Sequence, residues 1–361
     1  MQKKTINIVL FYPIKSAAGN RVLAYINVLK NKYNINLILS KKDNIDISNI
    51  NIYHLNNTKI EKQNFFKRVI SEVFISYKLL KLSKKFNSDI SFITIPSMFL
   101  LPIFCMDRRK KIVDVRDIVW KYLNNRVIKY ILTVIMTNSF KCYDKVIVTN
   151  NAEKKILNRF NPIVIPNGIS IKRFNILSKI NIEQQDIFTI TYIGNIGVAQ
   201  NLMQLCKIAK DIPDINIKLI GDGNQYKEIK EYIKANNINN IKLMGKLEWD
   251  DLLKEYSTSS ILFARLDESF NSAIPSKLYE YLSTGLPILY IGSGAAKELL
   301  KQFENTFVID NRNENVNNFK NYINKLKEKK FDKSYKNIEI IRKYYIRENN
   351  SKKIIDIIEK L

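Results

Sequence analysis

At 361 residues the chain exceeds one ordinary core of roughly 100–200 residues, so two domains are expected. A composition of 46% hydrophobic and 26% charged residues excludes a mainly disordered or fibrous protein, and the single histidine, His54, excludes multi-His metal sites and Ser-His-Asp or Cys-His hydrolases unless it carries the whole burden. Lys and Arg number 59 against 34 Asp and Glu, a net charge of +25, which favours anionic partners.

In chain order, Met1–Lys4 runs directly into the alternating Ile6–Phe11, so a strand is expected there and a secretory leader is not. Further strands are predicted over Ile35–Leu39, Ile90–Ile95, Lys111–Val115, Val146–Thr149 and Pro162–Ile165, with helical patterns such as Arg21–Asn31 and Phe65–Phe86 between them. The uncharged run from Asp89 to Asp107 contains Pro96 and Pro102 and reads as a buried strand and short buried helix, too short to span a bilayer. Three scattered cysteines, Cys105, Cys142 and Cys206, form no metal or disulfide pattern and suit a reducing cytosol.

The charge is uneven: residues 1–170 hold 29 basic against 10 acidic residues, and residues 171–361 hold 30 against 24. Phe65–Phe86 and Tyr122–Lys141 mix apolar and basic residues at near-helical spacing, as in helices that lie on an anionic membrane. Core helices with solvated basic edges are the alternative for each. Nucleic acid is not expected as a partner, because no helix-turn-helix, zinc-finger or RNP-type pattern accompanies the charge.

After the turn Pro166-Asn167-Gly168 a polar, irregular stretch is expected to about Asp186. Alternation then resumes with Phe188–Ile193, Ile215–Ile220, Ile241–Met244, Ser260–Phe263, Pro287–Tyr290 and Thr306–Ile309. This pattern predicts two α/β domains, each a doubly wound parallel sheet covered by helices. Ligands of such sheets bind beyond the carboxyl ends of the strands, so a cleft between two facing sheets is the expected site.

The motifs richest in chemistry lie between Tyr192 and Pro287. Gly194-Asn195-Ile-Gly197 follows a strand, where glycine permits close approach to the backbone and a helix N-terminus would offer N–H groups to phosphate. Leu219-Ile-Gly221-Asp-Gly223 repeats that arrangement, and Gly245-Lys246 ends another strand where backbone groups could read a flat base. Pro275-Ser276-Lys277-x-x-Glu280 opens a helix closed by Gly285 and Pro287. A lysine at the positive end reinforces an anion site instead of complementing the dipole, and Glu280, one turn on, can accept hydrogen bonds from a diol such as ribose. In the first half, Arg116 and Asp117 end the Lys111–Val115 strand; they read either as groups that orient an acceptor hydroxyl or donor sugar, or as a buried structural pair. Gly19, before the Arg21 helix, reads as a donor contact or as an ordinary turn glycine. His54, in strand-like Ile52–Leu55, reads as structural.

Taken together, Gly194-x-x-Gly197-x-Ala-Gln200, Gly221-Asp-Gly223 and Pro275-Ser-Lys277-x-x-Glu280-Tyr281 resemble family 4 of the retaining GT-B glycosyltransferases, in particular bacterial O-antigen and capsule enzymes of the aminosugar-transferring kind. Ile165-Pro-Asn-Gly168-Ile-Ser170 is similar to that family's interdomain motif, Asp114-Val-Arg116-Asp117 to its acceptor-domain segment, and Tyr345–Ser351 to its closing helix. Three features depart from the pattern, one of them Ser170, which stands where an Asp is usual after the Asn-Gly turn and reads as structural. The first of the family's two glutamates would fall at Ser272, with Glu268 out of register, and the usual cations after the first glycine strand are replaced by Asn195 and Gln200.

The resemblance implies a GT-B fold with an acceptor domain at 1–168, a donor domain at 169–339, and residues 340–361 packing back on the first. It implies transfer of a sugar, an N-acetylated aminosugar, from a UDP-sugar to a glycan or lipid-diphosphate-linked acceptor. The basic surplus of residues 1–170 points to the inner face of the cytoplasmic membrane as the place, and in the absence of a metal motif no cofactor or metal is expected. Asp117, Lys277 and Arg265 are the expected catalytic residues. Gly19, Gly194, Asn195, Gly197, Gly223, Gly245, Lys246, Pro275, Ser276, Lys277 and Glu280 are the expected donor contacts, with Lys277 on the diphosphate and Glu280 on the ribose. A sugar-nucleotide epimerase on the same fold and a non-catalytic basic scaffold are the competing readings.

Overall fold

Short apolar runs bounded by polar turns become parallel strands, because a strand covered by helices on both faces has no solvent side to occupy with polar residues. In the computed structural model, which describes residues 3–14, 16–43, 47–56, 65–310 and 316–361, such runs build two separate sheets.

The chain begins β1 (Thr5–Leu10), α1 (Ala17–Leu29), β2 (Asn34–Leu39), β3 (Asn51–His54), α2 (Phe65–Lys84), β4 (Ile90–Ile95), α3 (Leu100–Ile103), β5 (Lys110–Val115), α4 (Arg126–Ser139), β6 (Lys145–Val148), α5 (Asn151–Ile156) and β7 (Ile163–Val164). It continues α6 (Ile171–Leu177), β8 (Thr189–Ile193), α7 (Met203–Ala209), β9 (Asn216–Ile220), α8 (Tyr226–Ala235), β10 (Ile241–Gly245), α9 (Trp249–Ser257), β11 (Ile261–Arg265), α10 (Ser276–Thr284), β12 (Ile288–Ile291), α11 (Gly294–Leu300), β13 (Thr306–Ile309), α12 (Val316–Lys327) and α13 (Tyr335–Tyr344). Two short helices, α14 (Arg347–Ser351) and α15 (Lys353–Glu359), end it.

The first unit comprises residues 1–167 and 347–361, with a seven-stranded sheet ordered β3-β2-β1-β4-β5-β6-β7. Every pair in it is parallel. On one face Ile354, Ile357 and Ile358 of α15 share a core with Val22, Tyr25 and Ile26 of α1. On the other, α2, α3 and α4 pack Ile75, Leu79, Leu101, Leu132 and Met136 against β4 and β5. The uncharged run from Asp89 to Asp107 is a buried strand followed by a short helix, and no helix among the described residues is long and apolar enough to cross a membrane.

Helices α2 and α4 carry a second apolar stripe that the core does not use. Val127, Tyr130, Ile131, Val134 and Ile135 are exposed along α4 at helical spacing, with Tyr130 71% accessible; Ile70, Val73, Phe74 and Tyr77 are exposed along α2. Lys78 and Lys81 lie over the rings of Phe74 and Tyr77 at 4.3 and 4.9 Å. The side chains of Phe65 and Phe66 lie outside the described residues.

The second unit, residues 168–346, has a six-stranded parallel sheet ordered β10-β9-β8-β11-β12-β13. Two of the sequence expectations change here. Residues 340–346 belong to this unit and not to the first: Ile341 and Ile346 are buried in its core, α13 packs on α10, and the Ile169 N–H donates to the Tyr345 carbonyl at 2.9 Å. The stretch after Gly168 is not irregular throughout, because α6 forms there; the Ser170 hydroxyl accepts from the Arg173 N–H as its N-cap, and Phe174 and Leu177 are buried.

Candidate active site

In the second unit the glycine motifs form two loops that hold each other. The Ile196 N–H donates to the Asp222 carbonyl at 2.9 Å, and the Gln225 N–H donates back to Ile196 at 3.0 Å. Gly221 has φ +139°, and a Cβ there would fall 1.7 Å from the Gly194 carbonyl oxygen, so only glycine fits. A Cβ at Gly223 would fall 2.2 Å from the Ile196 carbonyl oxygen. Loop packing therefore already requires these glycines, whatever they do for a ligand.

The sequence expects a helix directly after Gly194, and this is corrected. The Gly197 carbonyl accepts from the N–H groups of Gln200 and Asn201, closing a turn, and α7 does not begin until Met203. The Tyr192 hydroxyl donates to the Asn195 carbonyl at 2.6 Å, and the Asn195 amide donates to Gln200 Oε1 at 3.1 Å. Arg265, the last residue of β11, is buried and donates from Nη1 to the Gln200 carbonyl at 3.3 Å. Arg265 and Asn195 thus both bond to Gln200, one from the end of β11 and the other from within the loop. Gly245 ends β10 with φ +70°, and Lys246 beside it is exposed.

A second cluster forms where α10 starts. Pro275 takes the N-cap position without a side-chain cap, Ser276 is exposed, and Gly285 closes the helix in the left-handed conformation at φ +75°. Lys277 turns its ammonium back onto Glu280, Nζ to Oε2 at 2.7 Å. Arg173 of α6 reaches the other oxygen, Nη1 to Oε1 at 2.6 Å, and the Tyr256 hydroxyl donates to Oε2 at 3.2 Å. Burial pushes the Glu280 carboxyl up, but the Lys277 and Arg173 charges and their hydrogen bonds outweigh it and hold the group below its usual range. The Arg173 guanidinium also lies over the Trp249 ring at 4.7 Å. The Tyr281 hydroxyl accepts from the Ile193 N–H at 2.8 Å and donates to its carbonyl at 3.1 Å, fixing α10 to the end of β8.

Sequence reasoning missed Arg173, Tyr256 and Trp249. Arg173 lies 107 positions from Glu280, and no spacing rule links them; the one available signal is a basic residue three after the Ser170 cap. Ser272, where the family's first glutamate would stand, is buried, while Glu268 is exposed.

In the first unit Asp117 and Arg116 follow β5, but they do not form the buried pair that was the alternative reading. Asp117 accepts from the Tyr122 hydroxyl; burial raises its carboxyl, and the Tyr122 and Ile118 hydrogen bonds and the Arg116 charge offset part of that. The buried pair is Asp114 with Arg21, whose Nε and Nη2 donate at 2.8 and 2.9 Å, while the Tyr25 hydroxyl adds a third donor at 3.3 Å. Gly19 is buried in α1, and a Cβ there would meet the Ile14 carbonyl oxygen at 2.0 Å, a packing reason for glycine. His54 ends β3 and is half-buried.

Residues 174–344 match the family described as Glycosyl transferases group 1. An uncharacterized glycosyltransferase of Methanocaldococcus jannaschii is 29% identical over 189 residues, covering 52% of this chain and 50% of that one, so the matched region spans about half the length of that relative. Among solved structures, sucrose-phosphate synthase from Thermosynechococcus elongatus is similar with a TM-score of 0.78 at 14% identity over 99% of both chains. Anabaena HepE, solved in complex with UDP and glucose, has a TM-score of 0.69 at 14% identity over 99% of this chain and 100% of its own. Residues 174–344 are thus similar to a glycosyltransferase family, and the fold of the chain is GT-B.

Proposed function

We propose that this protein is a retaining glycosyltransferase of family 4 that moves a sugar, an N-acetylated aminosugar, from a UDP-sugar to a glycan or lipid-diphosphate-linked acceptor in surface-polysaccharide synthesis. The observation that carries the reading is Glu280 held between Lys277 and Arg173 at the start of α10, inside the matched domain. HepE, a structure of the same fold, was solved with UDP, which supports the choice of donor.

In this reading Glu280 accepts from the ribose hydroxyls, and Lys277 swings from Glu280 to the diphosphate. As the bond from the anomeric carbon to the diphosphate oxygen breaks, negative charge grows on the leaving group, and Lys277 stabilises it. Arg265 contributes by holding the 194–202 loop. The acceptor oxygen bonds to the anomeric carbon from the face the diphosphate leaves, and its proton passes to the departing phosphate oxygen. Asp117 orients the acceptor hydroxyl. Glu280 remains paired with Arg173 after Lys277 leaves, which lowers the cost of the exchange.

In this reading the reaction occurs at the inner face of the cytoplasmic membrane, with the exposed stripes of α2 and α4 in the lipid interface and the basic surplus of residues 1–170 on anionic headgroups, and those stripes and that surplus are what support it. The test is a panel of sugar nucleotides with and without a lipid-diphosphate acceptor on anionic vesicles. Acceptor-dependent release of nucleotide, with salt-sensitive sedimentation on anionic but not neutral vesicles, is expected. Isomerisation without acceptor would instead indicate an epimerase, inertness towards every donor would indicate a scaffold, and equal recovery in the supernatant with both vesicle types would refute membrane docking.

A further inference from the structure

Among the described residues the Arg116 guanidinium makes no hydrogen bond or ion pair. Its backbone N–H donates to the Ile95 carbonyl at 3.3 Å, which fixes the residue where β4 and β5 end. Its Nε is buried without a hydrogen-bond partner, and its side chain makes no ion pair among the described residues. Each carboxylate that could neutralise it is engaged elsewhere. Asp114 receives Arg21 and Tyr25, and Asp117 receives Tyr122. Glu153, also buried, accepts from the Thr149 N–H and hydroxyl at 2.8 Å each; burial pushes it up to about 8, so it is mostly uncharged near neutrality.

Cations, by contrast, converge. Arg21 donates to Asn167 Oδ1 at 3.3 Å, and Arg347 of α14 donates from Nε to the carbonyl of the same Asn167 at 3.0 Å. Burial first, then the Arg21 charge, with Arg347 adding to it, bring Arg116 down to about 10 despite the attraction of Asp114 and Asp117. A buried polar atom without a partner is rare in folded proteins and calls for an explanation, of which a missing ligand is one, and strongly perturbed charged groups cluster at functional sites. Arg116 as a residue is only partly buried, so a ligand can reach it.

We propose that the Arg116 guanidinium is an anion-binding site of the first unit that takes a phosphoryl group, with Arg21, committed to Asp114, and Arg347 adding only their positive field. The planar guanidinium fork matches phosphate oxygens, and three arginines, Arg116, Arg21 and Arg347, stand against two carboxylates, Asp114 and Asp117, that are already engaged, an excess of positive charge that suits an anion. The carrier of that group rests on the function proposed above: it is the diphosphate of the lipid-linked acceptor, not free inorganic phosphate or the donor nucleotide.

The test follows the Arg116 Nε–H resonance in protein labelled with nitrogen-15 arginine during titration with inorganic pyrophosphate, farnesyl diphosphate, UDP and sodium acetate. A saturable shift with both pyrophosphate and farnesyl diphosphate, tighter for the latter, is expected, with affinity at least tenfold weaker in Arg116→Gln and partly kept in Arg116→Lys. Without ligand, Arg116→Gln is expected to melt at or above the wild-type temperature, because it removes an uncompensated cation. The site is overturned by no saturable shift, by acetate acting as strongly as pyrophosphate, by unchanged affinity in Arg116→Gln, or by a melting temperature several degrees lower in that variant. A response to UDP alone would overturn the acceptor assignment. No turnover is needed for this readout, so a failure in the transfer assay and a failure here are separate results.

Discussion

The two units each contain a carboxylate braced by cations, and the two differ in access to water. In the first unit Asp114 and Arg21 are 0% and 2% exposed, with a third donor from Tyr25. In the second, Glu280 is 10% exposed while its partners Lys277 and Arg173 are 28% and 51% exposed. Partners sealed from water cannot be exchanged without stranding a charge, so the Asp114 network belongs to the fold. Partners that reach solvent can be traded for a ligand's groups, so the Glu280 network can serve chemistry. The same residue types therefore carry opposite expectations for stability and turnover.

The sharpest way to break that contrast is Arg21→Met. It leaves Asp114 buried without its ion partner, and a loss of about 3–5 kcal/mol of unfolding free energy is expected from denaturant titration. The double change Arg21→Met with Asp114→Leu should recover most of it, because no buried charge then remains. A loss below about 1 kcal/mol in the single variant would mean that Asp114 finds water or another donor.

Lys277→Ala comes next, with the opposite signature. Turnover with the preferred sugar nucleotide is expected to fall about a hundredfold, the effect of removing one group that stabilises developing charge. Stability should change by less than about 1 kcal/mol, since a half-open pair contributes little and Arg173 still holds Glu280. Normal turnover with the fold intact would remove Lys277 from the chemistry.

Glu153 gives the smallest effect over a single pH unit and the most graded one, and it separates paired from unpaired burial. Its carboxyl is raised in the folded state from an ordinary 4.5 to about 8 by burial. The folded state then holds a proton that the unfolded state releases, so the stability tied to this group is full below about 4.5 and is lost as pH rises to about 8. Glu153→Gln should flatten the fall in melting temperature across that window, where the slope is at most about 1.4 kcal/mol per pH unit. An unchanged slope would show that Glu153 is ionised in the folded protein.

The strands and the helix at Ser276 were legible because their signals are local. Ile90–Ile95 is a strand with the bounds its apolar run predicts, and Pro275 and Gly285 bracket α10 through chain-end conformational preferences. Helix α6 was not legible: in seven residues only Phe174 and Leu177 face the core, too few to show a period. The glycine loops misled in one respect. A glycine after a strand reads the same whether a helix N-terminus or another loop lies against it, and here it is the loop at Gly221 and Gly223 that does.

By itself, then, the sequence determined the alternation of strands and helices, the placing of Lys277 and Glu280 one helical turn apart, and the excess of positive charge in residues 1–170, since each depends only on neighbours along the chain or on composition. Tertiary structure alone decided that Arg173 shares Glu280 with Lys277, that Asp114 and not Asp117 holds the buried arginine, and that the Arg116 Nε is buried without a hydrogen-bond partner among the described residues. The physical reason is that pairing between charges depends on distance in space and on the water removed around them. Both are set by which strands lie side by side, and residues as far apart as Arg21 and Asp114 carry no record of that in their spacing.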